Sequence, residues 1–114
     1  MSNRTLSPSA KELIRAKAMI SDPDNWCQGR MEHGSKHCAA GALGCLDADV
    51  GCRVSIPPSL LALSKSCRDV FPIASYQASS TIECITYVND CLGHEAILKC
   101  FDHAINQTIR ESNP

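Results

Sequence analysis

The chain has 114 residues, 44% hydrophobic and 20% charged, with 11 basic and 12 acidic side chains and a formal net charge of −1. This length supports one domain around one modest core, and the balance of residues excludes wholesale disorder. The basic residues are dispersed, with no Lys/Arg run to follow a phosphate backbone, and no apolar run approaches the ~20 residues of a membrane helix, so neither nucleic acid nor a membrane is an expected partner.

In chain order, Ser7-Pro8-Ser9-Ala10-Lys11-Glu12 reads as a helix start, with a hydroxyl N-cap, proline at the first helical position and an early acid. Ala10, Leu13, Ile14, Ala16 and Ile20 then share a face, and the helix ends before Asp22-Pro23. Lys17 falls among these apolar positions and is expected to snorkel its ammonium into water. Residues 22–36 read as a loop around the single tryptophan, Trp26.

A second helix is expected over about His37–Asp47, capped by Ser35 and almost without side-chain bulk: Ala39, Ala40, Gly41, Ala42 and Gly44. Interior glycine costs about 1 kcal/mol relative to alanine, so two in a short helix point to close approach of another backbone or of a ligand.

Gly51 and Pro57-Pro58 bracket a connector, after which Ser59 caps a third helix that Phe71-Pro72 stops. Ser79 or Ser80 opens a fourth, with Ile82, Ile85, Val88 or Asn89, and Leu92 on one face. A fifth starts near Gly93-His94 and continues through Ile97, Phe101, Ala104, Ile105 and Thr108, whose spacing of three and four is that of a buried helix face. The expected fold is therefore all-α: one compact domain, 1–114, of four to five short helices around the 38–47 helix, frayed at 1–6 and 111–114.

Eight cysteines are an unusual load. The N-terminal Met1-Ser2-Asn3-Arg4 is not followed by a signal-peptide core, and most of the cysteines fall in amphipathic helical segments, so an intracellular protein with reduced core thiols is expected. Cys38 is the sharpest chemical candidate, because a thiol in a helix's first turn lies near the positive end of the helix dipole. His94 could serve it as base, with Asn89 or Asp90 orienting the imidazole. The bland alternative is a small buried residue.

A metal site could be drawn from His33, His37, Cys38 and Cys45. Gly34 and Ser35 suggest a turn between the histidines and no Cys-x-x-Cys pair exists, so no metal or cofactor is expected. Asn89, seven residues after Ile82, should face inward. Its amide then needs partners, and the loop carrying Trp26, Gln28 and Gly29 is the natural source, which makes a hydrogen-bonded knot with Gly41's helix the expected structure.

Trp26-x-Gln28-Gly29, then Cys38-x-x-Gly41-Ala42-Leu43, then Asn89-Asp90 before a closing helix resembles a family of small bacterial and phage proteins known only as a domain of unknown function. The resemblance runs from the first helix to about Ala104. It implies a compact, mainly helical fold in the cytoplasm of a bacterium or of an infected host cell, and brings no catalytic residues with it. The expected function is a protein-interaction module that binds a host macromolecular complex, for example to inhibit a defence system. The alternatives are a cysteine-dependent hydrolase or transferase built on Cys38 and His94, and a small-ligand or metal-binding domain using the Trp26–His37 loop.

Overall fold

A computed structural model describes residues 6–44 and 56–112. Cys45, Cys52, the end of the expected second helix and the expected fraying of residues 1–5, 113 and 114 lie outside the described residues. Six α-helices are present among them: α1 Pro8–Ile20, α2 Ala39–Ala42, α3 Pro58–Val70, α4 Ile73–Gln77, α5 Thr81–Tyr87 and α6 His94–Ser112. None is long and apolar enough to cross a membrane.

The long helices form where the apolar spacing places them. Ser7 caps α1, its hydroxyl accepting from Ala10 N at 3.2 Å, and Ala10, Leu13, Ala16 and Ile20 are buried. Helix α6 lies against α1 and α3. It buries Ile97, Cys100, Phe101 and Ala104, and Phe101 is the largest fully buried side chain. Truncating a phenylalanine so placed costs about 3–5 kcal/mol, which makes α6 the spine of the core. Lys17 does not simply reach water: its ammonium pairs with Asp102 of α6 at 2.5 Å. Ser80 caps α5 by accepting from Glu83 N, while the Glu83 carboxylate reaches back to Ser79 N and Oγ at 3.0 and 2.7 Å. These bonds hold the Glu83 carboxyl below its usual range.

Five features depart from the sequence reading. Residues Glu32–His33 and Lys36–His37 form a two-stranded antiparallel hairpin, β1 and β2, so the expected second helix does not begin at His37. Helix α2 is instead capped by Cys38 and runs only over Ala39–Ala42, because Gly44 takes a left-handed φ of 92°. Helix α3 starts at Pro58, one residue before the expected Ser59 cap, without a side-chain cap. Helix α4 lies between the stop at Phe71-Pro72 and the opening at Ser79 or Ser80, where no helix was expected, and α5 runs on into a π-helical turn, Val88–Leu92.

Candidate functional site

The π-turn is where the chain's two halves meet. Gly93 N donates to Val88 O, five residues back, at 3.0 Å, and the glycine's φ of 106° lets the chain swing into α6. Asn89 and Asp90 lie on this turn, and Gln28 reaches their carbonyls: its Nε2 donates to Asn89 O at 3.2 Å and to Asp90 O at 3.0 Å. Gly29 N donates to Asp90 Oδ1 at 3.0 Å, with Gly29 at φ 79°.

Asn89 is fully buried and uses its whole hydrogen-bonding capacity. Oδ1 accepts from Trp26 Nε1 at 2.7 Å and from Ala39 N at 3.1 Å. Nδ2 donates to Cys27 O at 3.0 Å and to Asp90 Oδ1 at 2.8 Å. The indole is held on a second side by His94, whose ring centroid lies 4.9 Å away at a 48° tilt. His94 Nε2 in turn meets Ile20 O at 2.7 Å. A carbonyl can only accept, so Nε2 carries the proton and satisfies a carbonyl at the C-terminal end of α1.

The structure therefore brings Trp26, Gln28, Gly29, Asn89 and Asp90 into one network, and it seats Gly41 beside that network for a steric reason. A Cβ at Gly41 would stand 1.9 Å from Met31 O, so the hairpin backbone lies directly on α2. Every donor and acceptor of the Asn89 amide is engaged within the chain, so this centre fixes geometry and leaves no amide group to hold a ligand.

Cys38 and His94 each make their hydrogen bonds to other groups. The Cys38 thiol is 2% exposed, bonding to Met31 Sδ at 3.6 Å and accepting from Gly41 N at 3.4 Å. Burial, opposed in part by the backbone N–H groups of Gly41 and Ala40, pushes its pKa up to about 11. A helix of four residues has too small a dipole to overcome that, so the thiol stays protonated. Cys38, Cys67, Cys84, Cys91 and Cys100 are free thiols, and the pairing of Cys67 with Cys100, together with burial, pushes the Cys67 pKa up. His33 and His37 lie on paired strands, His33 opposite Lys36 and His37 opposite Glu32, and no group of three or more His, Cys, Asp or Glu among the described residues is placed to hold a metal.

Two surface features had no counterpart in the sequence reading. Helix α4 gives only Ala74 to the core and leaves Ile73 47% and Tyr76 85% exposed. Between α3 and α6 lies a cleft of about 290 Å³ whose lining includes Leu61, Ala62, Ala104 and Gln107. Ser66, which lines it, stands with its Oγ 2.8 Å from His103 Nδ1 of α6. Exposure of an apolar side chain leaves no trace in periodicity, and cross-helix pairs exist only once helices pack.

A protein-family model matches residues 4–107, and its description reads family of unknown function (DUF6197). The chain belongs to that family. No curated protein and no solved structure matches it.

Proposed function

We propose that this member of a family of unknown function is a protein-interaction module that seats a partner protein on α4. The observation that carries the reading is the exposure of Ile73 and Tyr76, three residues apart and so neighbours on a surface to which α4 contributes no core contact beyond Ala74. A tyrosine brings a large rigid area at small entropic cost, and aromatic side chains are enriched where protein interfaces are centred. Among the described residues Ile14, Leu61 and Leu92 are also exposed, at 39%, 49% and 37%, but Tyr76 exceeds them all at 85%, and burial of the α4 pair against a partner would cover it.

The resemblance to small bacterial and phage proteins supports extending the proposal to its setting: a cytoplasmic protein of phage or mobile-element origin that binds a host complex, for example a defence system. The test compares the wild-type chain with Tyr76→Ala and Ile73→Asp in affinity capture from the native host, with circular dichroism confirming the fold of each. A protein retained by the wild type and lost from both variants is the expected result. Equal recovery by all three refutes α4 as the docking surface.

A further inference from the structure

We propose that the cleft between α3 and α6 is a binding site for a small amphipathic monocarboxylate. It is built by two helix stripes, Leu61, Ala62 and Lys65 on α3 facing Ala104, Gln107 and Thr108 on α6. The spacing of three and four within each stripe puts its residues on one face. Alanine at 62 and 104 leaves room that larger side chains would fill, and the result is a space of about 290 Å³, enough for a ligand of about ten non-hydrogen atoms.

The floor is buried and the mouth is open. Ala104 is 1% exposed and Ser66 2%, the serine already engaged by His103, whereas Leu61 is 49% exposed at the mouth. Among the described residues that line the cleft, Lys65 is the one charged side chain and none is a carboxylate. Its ammonium rests 3.1 Å from Asp69, one turn on, in an exposed pair. Such pairs contribute little, so the lysine can turn to a ligand. Lys65, with the Gln107 amide, can offer donors to a carboxylate head, while Leu61, Ala62 and Ala104 take an apolar body. That charge and polarity select the class, and the site is independent of α4.

The experiment titrates octanoate, and separately octanol, into the ¹⁵N-labelled chain, following amide shifts by NMR in the wild type, Lys65→Gln and Ala62→Phe. Octanoate should saturate shifts confined to about residues 58–66 and 103–108, with a Kd on the order of 1 mM for a ligand of this size. Lys65→Gln, an exposed change that leaves folding intact, should weaken octanoate about five- to tenfold and leave octanol within about twofold. Ala62→Phe should remove binding of both. Equal loss of both ligands, or of neither, in Lys65→Gln overturns the carboxylate assignment. Shifts that do not saturate, or that fall outside the cleft, overturn the site.

Discussion

Asn89→Ala removes a side chain that answers four groups at once. Trp26 Nε1, Ala39 N and Cys27 O lose their Asn89 bonds, and Asp90 Oδ1 loses one of two donors. A buried polar group left unpaired costs about 1–3 kcal/mol. Trp26 and Cys27 are half-buried, which puts them at the low end of that range, so the sum is about 3–5 kcal/mol. That is a large part of the roughly 5–15 kcal/mol that holds a domain of this size.

Urea unfolding followed by Trp26 fluorescence measures the loss, since the chain has one tryptophan. Asn89→Asp gives a second reading from the same centre. It keeps Oδ1 and places the other oxygen against Cys27 O and the Asp90 carboxylate, so the new carboxyl has a folded pKa raised above its unfolded value. The stability gained by protonating it is present at about pH 4 and is lost as pH rises toward 7. An Asn89→Ala loss below about 1 kcal/mol, or an Asn89→Asp variant whose deficit does not change between those pH values, refutes the account of the amide as the knot's centre.

Gly41→Ala drives a methyl to 1.9 Å from the backbone oxygen of Met31. Backbone cannot rotate away as a side chain can, so a stability loss of at least about 2–3 kcal/mol is expected in the same unfolding assay, and a loss below 1 kcal/mol would contradict the close packing of hairpin on α2. Cys38, with its thiol raised from 9.0 to about 11, contributes stability that is present below its unfolded value and is lost as pH rises through the folded one. Unfolding free energy should fall between pH 9 and about 11, less steeply in Cys38→Ala; and native-state alkylation read by mass spectrometry should modify the exposed Cys91 well before Cys38.

The sequence was most legible where burial repeats with a helix's period. Ala10 to Ile20 and Ile97 to Thr108 place their apolar residues three and four apart, and both form long helices. The step of seven from Ile82 points Asn89 inward, and an inward amide has to be answered, which is why the Trp26–Gln28 loop could be named as its partner. The glycine-rich composition around Gly41 signalled a close backbone approach without showing that the hairpin at Met31 would make it.

Other features had no local signal. A hairpin of two-residue strands is too short for alternation to register, and the π-turn arises from one slipped backbone bond that side-chain pattern does not encode. Cys38 stands at a helix start, but desolvation outweighs a four-residue dipole once the core closes over it. Lys17 looked misplaced until α6 put Asp102 beside it.

The knot ties Trp26, Gln28 and Ala39 to residues 50 to 63 positions further along the chain. Closing a loop of that length costs about 3–4 kcal/mol in chain entropy. During synthesis the loop at Trp26 therefore leaves the ribosome long before the residue that fastens it, and the α1 carbonyl at Ile20 waits longer still, for His94. The amino-terminal third cannot reach its final form while it is being made. The π-turn is a clasp whose closing needs residues that are made 50 or more positions after the loop it fastens.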